Sequence, residues 1–360
     1  LVARLGGDEF VILINEVHSA QNIARVADKI LETIRPITRV QDHNLHITAS
    51  MGIAMFADDG QDIYSLLKNA DTALYRAKDA GRNRAQFYDY SMNLQSGSKL
   101  SLEQDLRTAV VDDQLFMEYQ PFVDIKTGRV MGMESLVRWN HPTLGTIYPF
   151  DFIPLAEETG MIVPIGKWIM ETVCRQGREF EQAGFPLRMT VNLSARQFSE
   201  AELVKTIAET MAKFDYKPQN LELEITESVA MENIARTSLK LNDLKELGIS
   251  ISIDDFGTGY SSLSYLKRFP VQKLKIDKSF VMHAITDPQD STIIRAIISM
   301  AQSLGLTVCA EGVEDEDQFS LLRSMDCDIA QGYLISKPLG AERVVDWLKN
   351  YSLVTVPDIV

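Results

Sequence analysis

The chain has 360 residues, 45% of them hydrophobic, and a formal net charge of -14. That length supports more than one core, with a large barrel plus a smaller unit as a natural division, and the composition is that of an ordinary soluble globular protein. The charge argues against broad binding to nucleic acid or anionic membranes, but not against a small anion, because metals or local arginines reverse the field at one site. No apolar run reaches the roughly 18 residues of a membrane span, and nothing at the start resembles a signal peptide. A membrane or sensor segment upstream stays open. Cys174, Cys309 and Cys327 are far apart and odd in number. They read as small buried hydrophobes in a reduced, cytoplasmic setting.

The opening LVARLGGDEF carries a glycine pair and two acids, Gly6-Gly7-Asp8-Glu9, a pattern suited to phosphate and metal. Residues 1–90 read as strand, helix, hairpin, helix. Phe10–Ile14 is an apolar strand. Ile23 to Ile34 has helical spacing, with Ile23, Val26, Ala27, Ile30 and Leu31 on one face. His46–Ala54 is β-rich, and Ile63 to Ala80 is a second amphipathic helix with Gly81 as its stop. This is too little to close an α/β sheet covered on both faces. Ser91 to Ser98 is a polar linker. Leu102, Leu106, Ala109 and Val110 then repeat at helical spacing, with Ser101 as a candidate cap.

The remainder alternates short β runs with helices. Strands are expected near Phe116–Val123, Val130–Val137, Arg188–Leu193, Leu221–Thr226, Ser250–Asp255, Lys273–Ile276, Thr307–Ala310 and Ile329–Ile335. Eight runs over about 250 residues suggest a (β/α)8 barrel. Only Lys126-Thr127-Gly128 joins the first two, which is hairpin length, so those strands should be antiparallel.

In such a barrel the reactive groups gather at the C-terminal strand ends. Glu134, Asn192, Glu224, Glu227, Asp254, Asp255, Asp277, Glu311, Glu314 and Gln331 all lie in or just after β runs. Any one acid is ordinarily a solvated or salt-bridged carboxylate. The group is harder to dismiss, because many carboxylates at one mouth repel unless cations compensate them. The donors are hard oxygens and the histidines lie elsewhere, which favours Mg²⁺ or Mn²⁺. An aspartate pair at one strand end can bridge two metals about 3.5–4 Å apart, as in-line displacement at phosphorus requires. Lys275 and Arg138 could orient a phosphate and stabilise transition-state charge. Lys275 could equally be a counter-ion to Asp277 or to another acid. The glycine-bearing loop Asp255–Ser262 reads either as a strand-to-helix turn capped by Ser261 or as a mobile loop controlling metal occupancy.

Together these motifs resemble the EAL family of cyclic-di-GMP phosphodiesterases, from about Leu100 to Leu348. The residues that carry the resemblance are Tyr119-Gln120-Pro121, Glu134-Ser135-Leu136-Val137-Arg138-Trp139, Val191-Asn192-Leu193-Ser194, Glu224-Ile225-Thr226-Glu227, Asp254-Asp255-Phe256-Gly257-Thr258-Gly259, Leu274-Lys275-Ile276-Asp277, Ala310-Glu311-Gly312-Val313-Glu314 and Gln331-Gly332-Tyr333. The resemblance implies a modified TIM barrel with one antiparallel strand and two Mg²⁺ or Mn²⁺ ions per active site. It implies that Glu134, Asn192, Glu224, Asp254 and Asp255 are metal ligands. Lys275 and Glu311 would position or activate the attacking water, and Gln331 would hold it or a metal-bound water. Glu227 would anchor the Asp255–Ser262 loop, and Gln120, Leu136, Arg138 and Glu314 would contact the dinucleotide. Ser135 stands where the family's namesake motif has Ala. It is similar in size and uncharged, so activity should survive.

Residues 1–90 resemble the GGDEF family of diguanylate cyclases through Gly6, Gly7, Asp8, Glu9 and Phe10, and through Lys78 and Arg82 in a phosphate-contacting segment. That family's first metal aspartate, its guanine-reading residues and its inhibitory Arg-x-x-Asp motif lie upstream of the glycine pair. This chain alone is therefore not expected to make cyclic-di-GMP. The expected organisation is a partial GGDEF domain at 1–90, a linker at 91–100, the EAL barrel at 101–350 and a tail at 351–360. Expected partners are cyclic-di-GMP, GTP at the GGDEF portion of a full-length protein, and a second copy through the EAL domain. DNA and membrane contact are not expected. The expected reaction is hydrolysis of cyclic-di-GMP to linear pGpG. The rival is a catalytically silent cyclic-di-GMP receptor, and the complete acid set favours the enzyme.

Overall fold

The computed structural model describes residues 2–6, 9–14, 20–34, 38–40, 43–45, 48–56, 59–60, 63–79, 83–88, 99–232, 234–257 and 266–351. Two compact units divide it, Leu1–Leu102 and Glu103–Val360. In the first, β1 (Val2–Gly6) pairs antiparallel with β2 (Glu9–Ile12), which places Gly6 and Glu9 at facing strand ends. The apolar strand therefore ends at Ile12, leaving Leu13 and Ile14 outside it. β3 (Thr38–Val40) and β4 (His43–Leu45) form a second hairpin, whereas β5 (Met51–Ile53) and β6 (Ala85–Phe87) pair in parallel. On the helix Ala20–Ile34 the buried stripe is Ile23, Ala27 and Leu31, while Val26 is exposed. The second helix spans Ile63–Asp79, and its expected stop at Gly81 lies outside the described residues, as do 91–98 and 352–360. The next helix begins at Lys99, which places Ser101 within its first turn rather than at its cap.

The larger unit is a closed eight-stranded barrel of β7 (Leu115–Asp124), β8 (Val130–His141), β10 (Arg188–Leu193), β11 (Leu221–Thr226), β12 (Ser250–Phe256), β13 (Lys273–Ile276), β14 (Thr307–Ala310) and β15 (Ile329–Gln331). Short strands β9 (Gly145–Ile147) and β16 (Leu339–Gly340) flank it. β7 runs antiparallel to both neighbours, β8 and β15, and the other barrel pairs are parallel. The cause is the short Lys126-Thr127-Gly128 connection. Gly128 takes φ +69° and its N–H donates to Asp124 O, while Asp124 Oδ1 accepts from Thr127 N and Oγ1. A turn this tight can only reverse the chain. The last strand stops at Gln331 rather than Ile335, because Leu334 N turns to Val313 O and Ile335 N to Gly332 O.

Alternation along the strands separates two environments. Leu221, Leu223, Ile225, Ile251, Ile253, Leu274, Ile276, Val308 and Ala310 are buried apolar residues of the core. Their even- or odd-numbered neighbours face the barrel interior and are largely polar: Glu222 and Glu224 on β11, and Lys273 and Lys275 on β13. This differs from a barrel packed with branched aliphatics. In the lower interior layer, Lys273 Nζ donates to Glu222 at 2.6 Å and lies 4.5 Å from the Phe122 ring centroid. Phe122 in turn packs with Cys309 and Ile329. All three cysteines are buried and unpaired.

Gly132 makes room for that layer. A Cβ there would lie 2.3 Å from Arg188 O and 2.4 Å from the Phe122 ring. The carbonyl belongs to a paired strand and cannot retreat. Gly132→Ala is expected to destabilise the barrel by about 1–3 kcal/mol through overpacking, read as a lower urea midpoint at unchanged m-value. An unshifted midpoint would show that the ring and strand can yield.

Candidate active site

The upper interior layer converges on Lys275. Its Nζ lies 2.5 Å from Glu311 Oε1, 2.7 Å from Glu224 Oε2, 3.5 Å from Asp254 Oδ1 and 3.8 Å from Glu134 Oε2. Strands β8, β11 and β12, and the residue directly after β14, thus supply acids to an ammonium on β13. Of the counter-ions considered from sequence, the acids of this layer take the role. Asp277 instead caps the helix Lys278–His283 by accepting from Ser279 N.

Two amides complete the layer. Asn192 Nδ2 donates to Glu134 Oε1 at 2.8 Å, and Gln331 Nε2 donates to Glu134 Oε2 at 2.5 Å and to Gln120 Oε1 at 3.3 Å. Capping boxes fix where the chain turns away from the site. Ser194 and Gln197 bond reciprocally after β10, and Asp315 and Gln318 do so after β14. The aspartate pair depends on a break in alternation. Register shifts between Ile253 and Phe256, and Asp255 takes φ +54°, a left-handed conformation that Asp tolerates better than most residues. The break brings Asp255 under the influence of Asp254, Asp277 and Lys275 together. Just beyond, Gly257 N donates to Glu227 Oε2 at 3.2 Å. The rest of the loop, residues 258–262 with the candidate cap Ser261, lies outside the described residues.

Around the rim, Gln120 and Leu136 are half-buried, Arg138 is buried and Glu314 is exposed. Ser135 is buried on the opposite face of β8 from Glu134. In the smaller unit Gly6 ends β1 and Glu9 begins β2, and Lys78 is exposed near the end of its helix. Gly7, Asp8 and Arg82 lie outside the described residues. Two charged groups near the site have no counterpart in the sequence reading. Glu222 and Lys273 form a buried pair one layer down, legible in principle from their spacing of two before Glu224 and Lys275.

One ammonium cannot compensate five carboxyl groups. Burial pushes Glu224 well above the usual carboxylate range, aided by Glu134 and Asp254 and opposed by Lys275. Burial likewise pushes Glu311 up to about 8, and burial with Asp254 and Asp277 pushes Asp255 up to about 6. Glu134 moves the other way. Burial acts to raise it, but Lys275 and the Gln331 and Asn192 amides together hold it low. Burial disfavours the Lys275 cation, yet the surrounding acids hold its pKa well above the ordinary lysine value. Among the described residues no three His, Cys, Asp or Glu groups are already arranged to hold a metal ion. The acids point at Lys275, and the amides turn their NH2 groups to Glu134. The chemistry of the donors nevertheless fits hard divalent cations. They are carboxylate and amide oxygens carrying more negative charge than the site compensates.

The fold and site are those of an eight-stranded α/β barrel with one antiparallel strand, an acid-rich mouth and a buried lysine. The EAL domain family matches residues 103–338, and the chain belongs to it. The diguanylate cyclase GGDEF domain family matches residues 1–84. The chain is 43% identical over 345 residues to the bifunctional diguanylate cyclase/cyclic di-GMP phosphodiesterase MucR of Pseudomonas aeruginosa, covering 96% of this chain and 50% of MucR. It is 40% identical over 362 residues to the cyclic di-GMP phosphodiesterase NbdA of the same organism, covering 100% of this chain and 46% of NbdA. A solved structure of the PaMucR phosphodiesterase in complex with c-di-GMP aligns at 43% identity with a TM-score of 0.66, over 68% of this chain and 99% of that one. The chain spans about half the length of these curated relatives. Dependence on divalent metal is what the family implies. No helix among the described residues is long and apolar enough to cross a membrane.

The raised carboxyls make stability depend on pH. Without metal, Asp255 and Glu311 keep protons that the unfolded chain releases at the ordinary 3.8 and 4.5. Their contribution is fully present below those values and is lost as pH rises through about 6 and about 8. In EDTA the melting temperature is expected to fall between about pH 5 and about pH 8.5, with millimolar Mg²⁺ or Mn²⁺ flattening the upper part of the slope. A flat profile in EDTA would contradict this charge assignment.

Proposed function

We propose that the chain hydrolyses cyclic-di-GMP to linear pGpG as a Mg²⁺- or Mn²⁺-dependent phosphodiesterase in bacterial second-messenger signalling. The observation that carries the reading is the convergence of Glu134, Glu224, Asp254 and Glu311 on Lys275, with Asn192, Asp255 and Gln331 beside them. Names of the relatives support the same substrate. In this reading Glu134, Asn192, Glu224, Asp254 and Asp255 would hold two divalent cations, and Asn192 would turn its amide to present oxygen. Bound there, such cations supply Lewis-acid stabilisation of phosphate charge and lower the pKa of water.

The chain's own groups then divide the work. Glu311, ionised once divalent cations compensate the neighbouring acids, takes a proton from the attacking water at its carboxylate. The water oxygen forms the new P–O bond as the P–O3′ bond breaks in line. Lys275 Nζ, held beside Glu311, stabilises the charge that develops on the phosphoryl oxygens. Gln331 orients the water, and Glu227 holds the start of the loop after β12 through Gly257 N. Gln120, Leu136, Arg138 and Glu314 contact the dinucleotide. The reading extends to a cytoplasmic setting, a homodimer through the barrel, GTP bound by the GGDEF portion of a longer protein, and domain limits at 1–90, 91–100, 101–350 and 351–360.

Incubating the purified chain with cyclic-di-GMP and Mg²⁺ or Mn²⁺, with products resolved by chromatography, tests this directly. Metal-dependent pGpG is expected. Binding without hydrolysis at any metal concentration would favour the silent receptor. With saturating Mg²⁺, Lys275→Ala is expected to lower kcat about 10²–10³-fold, with a much smaller effect on KM. Lys275→Arg should not restore it, since a planar guanidinium is not an equivalent point charge. Near-normal single-turnover hydrolysis by the folded fraction of Lys275→Ala would reduce Lys275 to a counter-ion.

A further inference from the structure

Arg138 sits four residues beyond Glu134 on the same face of β8, and it is 6% exposed. Three groups hold its guanidinium. Nε donates to Glu118 Oε2 at 2.9 Å, Nη1 donates to Val137 O at 2.9 Å, and Cζ lies 5.1 Å from the Tyr148 ring centroid. Each partner is itself placed by the sheet. Glu118 pairs opposite Leu136 across β7 and β8, which sets it diagonal to Arg138 and on the face of Gln120. Tyr148 directly follows β9, whose Ile147 pairs with Trp139. Pro149 then starts the next helix with Tyr148 at its extended N-cap, so the backbone on both sides of the ring is fixed. Among the described residues Nη2 has no protein partner. The clamp leaves that edge of the fork available.

We infer that Glu118 and Tyr148 are positioning residues for the dinucleotide, acting through Arg138. This rests on the phosphodiesterase reading and adds to it what orients the substrate-contacting cation. Lys275 is committed to four carboxylates, and the chain is strongly acidic. A doubly anionic substrate therefore depends on Arg138 being aimed before it arrives, since an unaimed arginine must be ordered on binding. Glu118 puts a negative charge beside the substrate's path. If net charge alone mattered, its removal would improve binding. If aim matters, its removal weakens binding.

The opposing signs make the test. Steady-state kinetics with cyclic-di-GMP and Mg²⁺ are compared for wild type, Glu118→Ala, Tyr148→Ala and Tyr148→Phe, with melting curves alongside. Glu118→Ala and Tyr148→Ala are expected to raise KM about five- to thirty-fold with kcat within about twofold. Tyr148→Phe keeps a ring over the guanidinium and should stay within about threefold of wild type. In an Arg138→Ala background neither alanine variant should raise KM further. A lower or unchanged KM for Glu118→Ala, or an undiminished effect in the Arg138→Ala background, would overturn the inference. If Tyr148→Ala unfolds, Glu118→Ala and the Arg138 background still decide it. A wild type that hydrolyses normally beside unaltered variants sinks the clamp alone, whereas a wild type without hydrolysis sinks the phosphodiesterase reading beneath it.

Discussion

A buried ammonium shared among four carboxyl groups sets the terms for the barrel. Lys275 on β13 reaches Glu134, Glu224 and Asp254 on three other strands and Glu311 directly after a fourth. Each contact requires its strand to be in the right register, so the charge cluster and the sheet specify one another. Among the described residues Lys275 is the cation that touches these acids. The cluster therefore holds together by protonation and amide donation, which is why Glu311 and Asp255 are displaced upward while Glu134 is not.

The backbone makes local concessions to this cluster. At Asp255 a left-handed residue and a register shift disrupt the strand so that two adjacent acids serve one site. Such conformations persist where surrounding structure over-determines them. Elsewhere the loops are ordinary. Capping boxes and an Asp cap start the helices that follow β10, β13 and β14, and the other left-handed non-glycine residues of this unit, Asp113, Asp215 and Asp326, lie away from the site.

Much of this was legible in the sequence. Short β runs ending in acids gave the barrel, and the Lys126-Thr127-Gly128 turn gave its one antiparallel strand, because hairpin length leaves no room for a crossover. The acids of the upper layer were found because they end strands. What escaped detection depends on pairing across the sheet. Glu118 carries no signal of its own until its diagonal neighbour Arg138 is known, and Tyr148, which stays largely exposed, has none until β9 brings its ring beside that guanidinium. The last strand stops four residues short of its expected end because turn hydrogen bonds compete with the ladder at Gly332–Ile335, whereas β8 runs four residues past Val137 by pairing with β9. The opening strand was read too long because Leu13 and Ile14 continue its apolar character without continuing its pairing.

The interior of this barrel is polar, and its aliphatic residues face the other way. Stability and chemistry are thus assigned to opposite surfaces of the same strands. Replacing one of the acids whose ionised form burial disfavours, Glu224, Asp255 or Glu311, removes repulsion without opening a void among the aliphatic side chains. Such a change can leave the fold equally durable or more so while ending turnover. For this architecture the route from catalyst to inert ligand-holder runs downhill in folding energy.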